Sequence, residues 1–130
     1  MFKRIEHVEI VPSDPERSIR FYTDVFGFRV TERHRVQDPP PDEVIWLELN
    51  GTFLELVVVK DPAPPSGEPF QVGYRRMCLE VENLDKALEY LRSKGVRIAK
   101  GPVQSSTSLR ADVRDPDDLS IELRQPLPRR

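Results

Sequence analysis

The second half of this chain repeats the first. Gly27 and Gly95, each placed to stop a helix, stand 68 residues apart, and Phe53-Leu54-Glu55-Leu56 recurs as Ser120-Ile121-Glu122-Leu123 with Glu55 and Glu122 67 apart. An offset that steady over 130 residues marks an internal duplication. Between the copies lies Lys60-Asp61-Pro62-Ala63-Pro64-Pro65-Ser66-Gly67-Glu68-Pro69, whose prolines withhold backbone donors and make a semi-rigid connector. The boundaries expected are one domain over 1–130, with module one at about 1–60, a connector at about 61–71 and module two at about 72–125.

Each copy reads as β-α-β-β-β. Ile5 to Val11 alternates as a strand, and Ser13-Asp14-Pro15-Glu16 forms a capping box ahead of a helix with Ile19, Tyr22, Val25 and Phe26 on one stripe. After Gly27 comes a strand at Phe28 to Thr31, then a hairpin whose strands, Val44–Leu49 and Thr52–Val59, flank Asn50-Gly51. In the second copy Arg76 to Val81 alternates, Asn83 caps a helix with Leu84, Ala87, Leu88 and Leu91 inward, and Val96-Arg97-Ile98 follows Gly95. Strands at Leu109–Val113 and Leu119–Leu123 close it around the turn Asp115-Pro116-Asp117-Asp118. The fold expected is α+β: two tandem β-α-β-β-β modules curling into a partly closed mixed-sheet barrel whose concave face gathers side chains from both copies.

Composition narrows the function. A hydrophobic fraction of 38% supports a soluble core, and 20 basic against 22 acidic residues give a net charge of -2, which argues against nucleic acid as a partner. No apolar run reaches membrane-spanning length and the N-terminus has no apolar leader, so a cytoplasmic protein without membrane contacts is expected. Cys78 is the one cysteine, which rules out an intrachain disulfide and a cysteine-based zinc cluster.

Strand alternation selects the candidate site. If Val8 and Ile10 face the helix, His7 and Glu9 face away; if Leu54, Leu56, Ile121 and Leu123 are core, Glu55 and Glu122 share the other face with His7. Imidazole and carboxylate oxygens suit a divalent ion such as Zn, Ni, Co, Mn or Fe. Glu9 and Glu80 fall at the rim, where either could serve as a base or simply be an exposed strand carboxylate. Cys78 shares the face of Arg76 and reads as a small packing residue, and His34, between Arg33 and Arg35, reads as surface.

These features resemble the vicinal oxygen chelate superfamily of glyoxalases, bleomycin resistance proteins and dioxygenases. The resemblance runs from Ile5 to Leu123, carried by His7-Val8, Arg17-Ser18-Ile19-Arg20-Phe21-Tyr22, Val25-Phe26-Gly27-Phe28, Leu79-Glu80-Val81-Glu82-Asn83-Leu84 and Asp115-Pro116-Asp117. Metalloenzymes of that family commonly place His, Glu, His and Glu on the first and last strands of the two modules. His7, Glu55 and Glu122 match the first, second and fourth positions, and Arg76 stands at the third. A guanidinium has no lone pair to give. Held about 4 Å from a divalent ion, it would be repelled by roughly 8 kcal/mol at an effective dielectric near 20. Arg76 therefore either turns away and leaves a three-ligand site of His7, Glu55 and Glu122, or turns in and neutralises the carboxylates.

The resemblance implies a divalent-metal-dependent isomerase, lyase or dioxygenase on a small oxygenated metabolite, with Glu55 or Glu122 moving a proton and Arg76 holding a substrate oxyanion. It also implies a homodimer. The alternative it leaves is a metal-free protein that binds or sequesters a small molecule, as the bleomycin-resistance branch does.

Overall fold

The computed structural model describes residues 1–128. The chain divides into two compact units, Met1–Ser66 and Gly67–Arg130, each with its own sheet and core. Unit one runs β1 (His7–Ile10), α1 (Pro15–Asp24), β2 (Arg29–Arg35), β3 (Glu43–Leu49) and β4 (Thr52–Val58). Unit two runs β5 (Met77–Glu80), α2 (Leu84–Ser93), β6 (Ile98–Gln104), β7 (Ser108–Arg114) and β8 (Ser120–Pro126). The α+β class and the repeated β-α-β-β-β order are those expected from the sequence. Strand order is β1-β4-β3-β2 in one sheet and β5-β8-β7-β6 in the other, so each sheet keeps two open edges and neither closes into a barrel. No helix is long and apolar enough to cross a membrane.

The pairing within each sheet is mixed. First and last strands run parallel, with His7 beside Phe53 and Glu9 beside Glu55 in unit one, and Cys78 beside Glu122 in unit two. The remaining pairs are antiparallel. Because a parallel partner cannot be reached by a tight turn, the last strand of each unit returns to the first only after the helix and two further strands.

The helices sit over one face of each sheet and exclude water from it. In unit one the buried apolar set is Tyr22, Phe28, Val44, Ile45, Leu47, Leu54 and Leu56; in unit two it is Leu84, Leu88, Leu91, Ala111, Val113, Ile121 and Leu123. Asp14, rather than Ser13, is the N-cap of α1: its carboxylate accepts from the Arg17 backbone N–H at 3.1 Å, while Pro15 begins the helix. Asn83 caps α2 by accepting from the Lys86 N–H at 2.9 Å. Val8, expected under α1, is 40% exposed, because β1 is an edge strand with β4 as its single neighbour in the sheet.

One glycine is fixed by close approach. Gly101 in β6 has φ +105°, and a Cβ there would stand 2.9 Å from both the Arg110 carbonyl oxygen and the Ala111 Cα. Both obstacles are backbone, so β6 and β7 would have to part. Gly101→Ala should therefore lower stability by about 1–3 kcal/mol. Chemical denaturation of the variant checks this; an unchanged midpoint and slope would show that the two strands yield without cost.

Candidate functional site

The strand face away from each helix carries the polar groups, and the two units carry opposite chemistry there. In unit one His7 lies at the centre. Its Nδ1 stands 3.0 Å from Glu6 Oε1, and its Nε2 stands 3.1 Å from Glu9 Oε2 and 3.3 Å from Glu55 Oε2. Trp46 on β3 packs edge-on to the imidazole with centroids 4.7 Å apart, and Phe53 stands 6.5 Å from Trp46, so aromatic walls orient the ring. Glu55 is 9% exposed, whereas the Glu9 side chain is largely in solvent.

The ladder explains this convergence. His7 and Glu9 are two residues apart on one strand and so point the same way, and the parallel register sets Glu9 directly across from Glu55. Two carboxylates that close would repel, and the imidazole edge between them relieves it. The hydrogen bond that His7 donates to Glu9 raises the His7 pKa, burial opposes the rise, and Glu6 and Glu55 add to it. Burial raises the Glu55 pKa, Glu9 raises it further, and His7 lowers it.

The same geometry supplies the test of metal fit. Ligand atoms of His7, Glu9 and Glu55 all lie within 4.8 Å of one another. With Nδ1–H donating to Glu6, the Nε2 lone pair would face two carboxylate oxygens, an arrangement that requires a positive charge there, whether proton or cation. The donor set therefore fits a borderline divalent ion.

In unit two the face is dominated by arginine. Arg76 Nη2 donates to Glu122 Oε1 at 2.7 Å, and its Nη1 stands 3.6 Å from Asp112. Asp112, buried on β7, also pairs with Arg114 at 2.9 Å and accepts from the Ser120 hydroxyl. Of the two orientations open to Arg76, the structure thus has it turned onto a carboxylate of its own unit. Cys78 lies across from Glu122, and desolvation, then the contact with Glu122, pushes its thiol up to about 11, leaving it protonated at neutral pH. Glu80 stands beside Arg124 in the ladder, and His34 pairs at 3.1 Å with Glu32 in exposed positions.

His7 and Glu55 are accordingly brought together in unit one, and Arg76 and Glu122 in unit two. The sequence-level selection passed over Asp112, Arg110, Arg114 and Trp46. Arg110, Asp112 and Arg114 alternate with the core residues Ala111 and Val113, and that period-two pattern is the signal that would have placed them on the site face.

A duplicated β-α-β-β-β frame with a His–Glu cluster on its first and last strands defines a class, and comparison with known proteins names it. The chain matches the Glyoxalase/Bleomycin resistance protein/Dioxygenase superfamily over residues 4–123 and belongs to it. The uncharacterized protein YwkD of Bacillus subtilis is 32% identical over 125 residues, covering 95% of this chain and 97% of that one. A lactoylglutathione lyase of Salmonella typhimurium is 29% identical, covering 92% of this chain and 90% of the lyase. Among solved structures, a glyoxalase family protein from Enterococcus faecalis aligns with TM-score 0.76 at 25% identity, covering 95% of this chain and 98% of that one.

Both shifts in unit one make a measurable prediction for metal-free protein. An NMR titration should place His7 above the ordinary 6.5, and Glu9→Gln should lower it, since Glu9 is the largest raising influence. A raised folded-state value means that the His7 contacts stabilise fully below 6.5 and lose that contribution as pH climbs through the folded value. Glu55, also raised, pulls the same way from its ordinary 4.5 upward. Glu9→Gln should therefore cost more stability near pH 5 than near pH 9. An equal cost at both would show that the Glu9 contact does not depend on imidazolium.

Proposed function

We propose that this protein is a divalent-metal-dependent isomerase or lyase acting on a small oxygenated metabolite, with the ion held by His7 and Glu55. The observation that carries this is the convergence of His7 Nε2 with the Glu9 and Glu55 carboxylates on one strand pair. Lyase relatives such as the Salmonella typhimurium protein support the reaction class. Held by His7 and Glu55, a divalent ion would supply Lewis-acid polarisation of a substrate carbonyl.

The chain's own residues do the rest. Glu6 holds Nδ1 and so directs Nε2 toward the carboxylates, and Trp46 fixes the ring plane. Glu9 is the exposed carboxylate of the group and is placed to take or return a proton at the substrate carbon, while buried Glu55 stays as ligand. Glu122, the fourth position of the family pattern, accepts from Arg76 and so holds that guanidinium in place, leaving its remaining N–H groups for a substrate oxygen.

A metal-free binding protein is the second possibility, favoured by one observation: Arg76 already supplies a cation to Glu122 at 2.7 Å. Calorimetric titration with Zn, Ni, Co, Mn and Fe(II) separates the two. Under the enzyme proposal one ion binds per chain, affinity falls as pH is lowered through the His7 titration, and His7→Ala or Glu55→Gln weakens binding at least about tenfold. Wild-type protein that takes up no ion would leave the metal-free function.

A homodimer belongs to the same proposal. Met1, Phe2 and Ile5 in unit one, and Phe70, Val72 and Tyr74 in unit two, leave most of their side chains in water, apolar surface on each unit that a second copy would cover. Light scattering at micromolar concentration should return the mass of two chains, and a monomer mass would reject it.

A further inference from the structure

Unit two holds a cavity of about 430 Å³ lined by Arg75, Arg76, Lys100, Arg110 and Arg114, with Asp112 and Glu122 as its acidic groups and Ala99, Val103 and Ala111 as apolar wall. Five cations against two carboxylates leave an excess of three positive charges in a chain whose net charge is -2. We propose that this cavity binds a small organic dianion through its carboxylate or phosphate oxygens. The proposal rests on the small-molecule reading above and deepens it by naming the substrate's charge and chemistry.

The internal pairing shows which donors are left for a ligand. Arg76 is spent largely on Glu122 and Arg114 on Asp112. Arg110 and Lys100 form no ion pair among the described residues, and Arg75 donates to the Pro69 carbonyl and stacks on Phe70 without a carboxylate partner. Arg114 also keeps a buried Nε–H that meets no acceptor. A cluster of like charge around one concavity is unfavourable until an anion enters it, and a planar guanidinium matches carboxylate and phosphate oxygens in pairs.

The volume has room for a metabolite-sized dianion, and the short apolar stretch of wall accommodates a few carbons between charged ends. A metal ion is disfavoured by the same cations. With Arg76 on this face, the chemistry of unit two suits an oxyanion rather than a cation.

The ladder fixes these groups in place. Asp112 and Glu122 are register partners across β7 and β8, Arg110 lies across from Arg124, and Lys100 lies across from Asp112 on β6. The acidic pair therefore sits in the middle of the face with cations around it. That pair anchors Arg76 and Arg114, and the outer cations remain for the ligand.

Isothermal titration of chelator-treated wild-type protein tests this with succinate, inorganic phosphate, and the uncharged succinamide as control. One dianion should bind per chain, weaken as salt is raised, and be lost at least tenfold in the exposed-site variant Arg110→Gln and further in Arg110→Gln with Lys100→Gln. Succinamide should not bind, and Arg20→Gln, a surface change in unit one, should leave the affinity unaltered. Stronger succinate or stronger phosphate binding assigns the carboxylate or phosphate source, and either supports the proposal. No binding of either anion, or binding unchanged in the double variant, overturns it. Because the titration uses metal-free protein, its failure leaves the metal titration intact, and failure of metal binding leaves the anion result intact.

Discussion

Everything in this molecule that bears on function depends on the parallel ladder between the first and last strand of each unit. This contact decides which side chains meet. It sets Glu9 across from Glu55, with His7 two residues back, and Cys78 across from Glu122, with Arg76 two residues back. Residues some fifty positions apart are thereby held at hydrogen-bonding distance by a rigid backbone rather than by a loop. The helix and the two middle strands complete the return path and cover the opposite face with the leucine-rich core.

The two units use this shared geometry to opposite electrostatic ends. In unit one the ladder gathers carboxylates around an imidazole and surrounds them with Trp46 and Phe53, so the local demand is for positive charge. In unit two it gathers guanidinium groups around two carboxylates, and the surplus demands negative charge. Neither arrangement is a stability device. Partly exposed ion pairs contribute little, and like charges held together cost energy.

The frame was legible because its determinants are local. Hydrophobic alternation, the caps at Asp14 and Asn83, and the Asn50-Gly51 turn each specify an element from neighbouring residues, and the repeat then supplies the topology. Half of the site followed from the same alternation, since His7, Glu55 and Glu122 occupy site-face positions by counting. The pairing within the site did not, because Glu9 reads as an ordinary exposed strand carboxylate until the register places it opposite Glu55. Arg110, Asp112 and Arg114 were obscured for a related reason. A charged residue at every second position is the pattern of any solvated strand, and only the curvature that gathers β6, β7 and β8 around a cavity distinguishes them.

Duplication carries an evolutionary consequence here. Core residues and site residues alternate along every strand, so a substitution on the site face leaves the helix-covered face untouched, and each unit carries its own copy of both. One copy carries a guanidinium at position 76 and the other an imidazole at position 7, on the same fold. The frame is free to diverge half at a time, which lets a lineage trial a new ligand chemistry in one module while inheriting the old one in the other.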